Sequence, residues 1–151
     1  MVMTELNRDK ILKLLQPYFE KRDDIIMAFL FGSWATNKTC KESDVDIAIY
    51  FKPKTGRLEW EDFDARYEEE STIWLDVERL LGRDVDLLML NRAASSIADS
   101  AISGVPIIIK DRGLYLDFMI RVTSEAIDFR EFVEEYWRLK EEMRLYAGKT
   151  R

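Results

Sequence analysis

Apolar and polar positions along this chain fall into blocks of two periods, one near 3.6 residues and one set by short unbroken apolar runs. Residues 5–22 place Leu6, Ile11, Leu14, Leu15 and Tyr18 near one helical stripe, which Pro17 is expected to kink or divide. Two apolar runs of strand length follow, at 25–31 and 45–51; the first ends at Gly32 and the second at a turn marked by Pro53 and Gly56. From Leu58 to Leu81 the residues Trp60, Phe63, Tyr67, Trp74, Val77 and Leu81 recur at spacings of three, four or seven. That periodicity predicts one long helix whose aromatic stripe packs on a core. Gly82 ends it. Val85–Leu90 reads as a third strand, 93–103 as a helix closed by Gly104, and Val105–Ile109 as a fourth strand, where Pro106 belongs at a strand start or an edge. Strands alternating with helices predict an α/β or α+β fold, a sheet of about four strands covered by helices.

After Asp111-Arg112-Gly113 the pattern changes. Residues 114 to about 147 hold no turn signal, and Leu116, Ile120, Ile127, Phe132, Tyr136, Leu139 and Met143 outline a long amphipathic helix. Its first half is expected to pack on the sheet. Its second half carries more aromatic surface than a tail on a small domain needs, so it is a candidate for docking a partner. The expected division is a core over 1–112 and a helical extension over 113–151.

The chemistry-bearing residues sit where the first two strands end and begin. Gly32 and Ser33 follow the first apolar run directly, and Asp44 and Asp46 open the second. Side chains at i and i+2 of a strand share a face, so Asp44 and Asp46 project together while Val45 points to the other side. Two carboxylates about 7 Å apart at Cα suit a hard divalent cation. A glycine lets backbone approach a ligand closely, and the N–H groups of a short helix begun by Ser33 favour an anion. Nucleotide binding is the reading these parts share. A Gly-Ser turn alone, or an Asp-x-Asp strand start alone, is more often a plain turn or a solvated edge.

Together, at this spacing and between these strands, they resemble the signature of the nucleotidyltransferase superfamily that includes DNA polymerase β, and in a chain this short its minimal (MNT-domain) branch. The resemblance implies a small mixed sheet and a third carboxylate on a later strand. Asp86, after Val85 and before an apolar run, matches it, with Asp84 the lesser candidate. A carboxylate opening an apolar strand also needs a partner or a metal on physical grounds. The resemblance further implies that Asp44, Asp46 and Asp86 hold magnesium, two ions about 4 Å apart, and that Gly32 and Ser33 hold the terminal phosphates of ATP. Asp86 would also help deprotonate the acceptor hydroxyl. Lys38, Lys41, Lys52 or Lys54 could add positive charge. Proteins similar to this act as antitoxins that transfer AMP to a tyrosine of a HEPN-domain ribonuclease toxin. The rival readings are an adenylyltransferase of small molecules such as aminoglycosides, and an antitoxin that silences its partner by binding alone.

Composition narrows the field. The chain has 151 residues, 47% of them hydrophobic, which suits one domain with a packed core. It has no histidine, which removes Ser-His-Asp, Cys-His and histidine–metal chemistry and leaves carboxylates, metal and backbone. The single cysteine, Cys40, cannot form an internal disulfide and reads as incidental. A net charge of −6 argues against direct nucleic-acid binding. No signal peptide or membrane-length apolar run is visible, so the expected location is the cytoplasm.

Overall fold

The computed structural model describes residues 5–36, 43–54, 58–60, 62 and 66–149. Lys38, Cys40, Lys41, Gly56 and Phe63 lie outside them. The first helix, α1 (Arg8–Glu20), starts where Asn7 accepts the Lys10 N–H at 2.9 Å, a capping bond that satisfies one of the orphan donors of the first turn. It buries Ile11, Leu15 and Phe19 and runs through Pro17 undivided. Pro17 sits in the last turn on the exposed side, so the carbonyl it leaves unpaired faces water.

Strands β1 (Ile25–Phe31), β2 (Val45–Phe51), β3 (Val85–Met89) and β4 (Val105–Ile109) form one mixed sheet in the order β3-β2-β1-β4. β1 pairs antiparallel with β2 and with β4, and β2 pairs parallel with β3. A parallel pair needs a crossover of a dozen residues or more; here it contains α2 (Glu70–Leu81), which ends at Gly82 in the left-handed conformation. β4 is an edge strand, which accommodates Pro106. α3 (Ser95–Ile102) and the long α4 (Arg112–Lys149) complete the chain.

Each face of the sheet is covered. Ile47 and Ile49 pack with Ile11 and Leu15 of α1 and Ile73 and Val77 of α2. On the opposite face Ala48 and Tyr50 pack with Ala98 of α3 and Phe118 and Val122 of α4. Alternate residues of β2 therefore serve alternate cores, as a fully buried strand requires.

The helix expected over 58–81 is shorter. It begins at Glu70, and Leu58, Glu59, Trp60 and Tyr67 are irregular. Trp60 packs toward α4, 6.1 Å from the Phe118 ring, whereas Tyr67 stacks on Phe51 at 4.2 Å with the rings 9° apart, on the opposite side of the sheet. One helical stripe cannot reach both faces. The buried Tyr50 hydroxyl also fixes the segment in a non-helical course, donating to the Glu59 carbonyl at 2.8 Å and accepting the Glu59 N–H at 2.9 Å. Trp74, assigned to that stripe, is exposed.

The first half of α4 packs as expected, with Phe118, Val122 and Ala126 buried. Beyond Ala126 its apolar side chains, Phe132 and Trp137 among them, are exposed, save the half-buried Val133. Among the described residues no helix is long and apolar enough to cross a membrane.

Candidate active site

The parallel register of β2 and β3 places Asp46 directly beside Asp86, one step past the pair Val45 and Val85. Both valines are buried on the α1–α2 side, so both aspartates face the other way. Asp46 is half-buried, while Asp44, Asp84 and Asp86 are exposed. Burial pushes the Asp46 carboxyl above the usual carboxylate range. The charges of Asp86 and Asp44, and a hydrogen bond with Asp86, push it the same way. Like charges held this close favour a shared proton or a bound cation. Asp84 lies before the strand, and its carbonyl accepts the Val45 N–H at 3.1 Å.

Gly32 completes the arrangement. Phe31 is the register partner of Asp46 across the antiparallel pair, so the chain leaving β1 passes over that carboxylate. Gly32 adopts φ +72°, and a Cβ built there would lie 2.1 Å from Asp46 Oδ2. Glycine suits the position: the left-handed backbone disfavours other residues, and a Cβ there would displace the Asp46 carboxylate. Gly32–Ala35 then forms a single 3₁₀ turn whose N-cap is Phe31; Ser33, expected to begin a short helix, lies inside the turn and does not cap it.

The structure thus brings Asp46, Asp86 and Gly32 together, with Asp44 near enough for its charge to act on Asp46. Among the described residues no group of three or more His, Cys, Asp or Glu side chains is placed to hold a metal ion, so the three-carboxylate set expected of Asp44, Asp46 and Asp86 is not assembled as one cluster. The donors nonetheless suit magnesium: they are all carboxylate oxygens, and the pair of them in contact carries an unfavourable charge that a cation relieves.

A family model described as "Polymerase beta, Nucleotidyltransferase" matches residues 13–113, more than half of the chain. The chain belongs to the polymerase beta nucleotidyltransferase family. No curated protein matches it. Among solved structures, a toxin–antitoxin crystal structure with AMP-PNP is similar at TM-score 0.60 and 19% identity, over 91% of this chain and 98% of the other. A chain from the complex of tri-AMPylated Shewanella oneidensis HEPN toxin with MNT antitoxin is similar at TM-score 0.55 and 18% identity, over 93% and 98%. A third, also from Shewanella oneidensis, has TM-score 0.57 and 15% identity over 89% and 98%. At these identities the likeness is one of fold, and it agrees with the mixed sheet described above.

Within this nucleotidyltransferase fold one residue that the sequence reading passed over ties the site together. Trp34, buried directly after Gly32 and Ser33, donates its indole N–H to the Ser43 carbonyl at 3.0 Å and lies under the Arg83 guanidinium, 4.8 Å from the ring centre. It links the glycine turn to the residue before Asp44 and to the residue before Asp84. An aromatic residue inside an otherwise polar turn was the available signal. Lys52 and Lys54, by contrast, lie past the far end of β2, beside Asp24 and Tyr67. At about 3.3 Å per residue, Lys52 Cα is about 20 Å along the strand from Asp46, so neither lysine serves this site. Lys38 and Lys41 fall outside the described residues.

Proposed function

We propose that this chain is a magnesium-dependent nucleotidyltransferase that moves AMP from ATP to a tyrosine hydroxyl of a HEPN-domain toxin, and acts as that toxin's antitoxin. The observation that carries the reading is the Asp46–Asp86 contact set against the Gly32 turn. Two facts about the neighbours support the substrate and the acceptor: one was crystallised with AMP-PNP, and another belongs to a complex with a tri-AMPylated HEPN toxin. The cytoplasm is the location this pairing calls for.

On this reading Asp44, Asp46 and Asp86 hold magnesium, which when bound supplies Lewis-acid stabilisation of the attacking and leaving oxygens. Gly32 brings backbone against the terminal phosphates, and Ser33 adds a hydroxyl. The tyrosine oxygen attacks the α-phosphorus in line, the bond to the β-phosphate bridging oxygen breaks, and pyrophosphate leaves. Asp86 accepts the phenolic proton. It is exposed, so an acceptor on another protein can reach it. Catalysis of this kind is positioning and charge stabilisation, which needs no histidine.

The test is transfer of label from α-labelled ATP to the purified HEPN-domain partner in the presence of magnesium. Wild-type chain is expected to label the partner and Asp44→Asn to leave it unlabelled. Labelling undiminished in Asp44→Asn would overturn the metal assignment, and no labelling by the wild type would overturn the acceptor.

A further inference from the structure

The exposed half of α4 carries a seam that the transfer chemistry does not use. Phe129, Phe132, Tyr136, Leu139, Met143 and Tyr146 follow one another at spacings of 3, 4, 3, 4 and 3, and every one is exposed. This is an a/d heptad seam with a period of 3.5 residues, the pattern by which one helix packs along another. Asp128, Glu135 and Glu142 then occupy the g positions along one edge, while Val133, Lys140 and Ala147 occupy e along the other. Lys140 folds back over the Tyr136 and Trp137 rings.

Two observations decide what the helix opposite belongs to. The seam continues the stripe of Phe118, Val122 and Ala126, which this chain's own sheet covers. A second copy pairing in parallel would have to run its α4 through the space that sheet fills. A second copy pairing antiparallel would set g against g, and so Asp128, Glu135 and Glu142 against the same three acids. Arg138 bridges Glu135 and Glu142 from the outer side, but exposed pairs of this kind contribute little and exchange readily. At the base of the seam a groove of 380 Å³ between α3 and α4 is lined by Asp99 and Glu134 beside Phe129 and Arg130. The chain as a whole carries −6.

We infer that the α4 seam docks an amphipathic helix of a different protein, one with its own heptad of apolar residues and basic residues on the edge that meets Asp128, Glu135 and Glu142. No residue assigned to the active site lies on α4, so this inference stands or falls separately from the transfer reaction.

The probes are two labelled synthetic helices of three heptads, identical at a and d, one with lysine at every e and g position and one with glutamate. Fluorescence anisotropy with the full chain is expected to show the lysine helix binding about tenfold or more tightly than the glutamate helix. Leu139→Lys with Met143→Lys, at exposed positions that folding does not need, abolishes binding, whereas Glu131→Lys on the far side of the helix leaves the lysine helix bound. Glu135→Lys with Glu142→Lys reverses the preference. Equal affinity for the two probes, no binding of either, or binding indifferent to the Leu139 and Met143 changes would overturn the inference. So would sedimentation of the chain alone as a dimer that those two changes dissolve.

Discussion

Replacing Gly32 with alanine separates what this glycine does for the fold from what it does for the site, because Gly82 supplies an internal standard. Both adopt left-handed backbone, φ +72° and +65°, but a Cβ at Gly82 meets nothing within 4 Å. Gly82→Ala therefore reports backbone strain alone, about 1–2 kcal/mol, and for a chain of this size lowers Tm by about 2–8 °C. Gly32→Ala carries the same strain plus a contact at 2.1 Å with Asp46 Oδ2. Carbon and oxygen tolerate approach to about 3.3 Å, so the carboxylate must retreat by roughly 1 Å. It sits at the end of a rotatable side chain, so it swings aside and the extra loss of stability is small. Displacement by about that distance costs on the order of 100-fold in rate. Thermal unfolding is thus expected to give similar losses for the two variants. Transfer of AMP under single-turnover conditions is expected to separate them, with Gly82→Ala near wild type and Gly32→Ala down by about two orders of magnitude. Equal transfer by both variants would refute the claim that Gly32 is there for Asp46.

Other consequences concern buried hydrogen bonds at the far end of β2 and the charge of the candidate site. Asn91 is buried, and its side chain donates to the Phe51 carbonyl at 3.0 Å and accepts the Phe51 N–H at 2.9 Å; Asn91→Leu strands both groups and should cost about 3 kcal/mol in urea unfolding. Tyr50→Phe removes the hydroxyl that pairs with both Glu59 backbone groups and should cost about 2 kcal/mol, with faster proteolysis near residues 58–60. Burial raises the Tyr50 hydroxyl to about 12, so the native state holds this proton more tightly than the unfolded chain. Its stabilisation is complete below pH 10 and lost as pH rises to about 12, a decline that Tyr50→Phe should lessen. Asp46 is also raised from 3.8. Above that pH the unfolded chain loses a proton the native state retains, and the unliganded protein loses stability as pH climbs through the native value. Asp46→Asn should therefore raise Tm more at pH 7 than at pH 4, measured without nucleotide or metal.

The strands, and the local part of the candidate site, were legible in sequence because both are written locally, whereas Asp86 was reached through the family resemblance and meets Asp46 only through the β2–β3 pairing. β1, β2 and β4 have the limits expected of their apolar runs, since glycine, proline or aspartate bounds each. Asp44 and Asp46 share a face by strand geometry alone, and Gly32 marks the turn. The start of α2 was not legible, because Trp60 and Tyr67 mimic helical spacing while their partners, Phe118 and Phe51, lie on opposite faces of the sheet. The role of Trp34 was hidden for the same reason, since its contacts with Ser43 and Arg83 exist only once β2 and β3 lie side by side. The undivided α1 shows a weaker rule yielding to position: a proline in the last exposed turn leaves unpaired only a carbonyl that water can reach.

If the paired carboxylates beside the glycine turn carry AMP to another protein, that protein gains mass in whole AMP units. Intact-mass measurement of the HEPN-domain partner, co-expressed with either the wild-type chain or Asp46→Ala, tests it most directly. The expected partner is heavier by whole AMP units with the wild type and unmodified with Asp46→Ala. An unmodified partner in both, or equal modification in both, would contradict it.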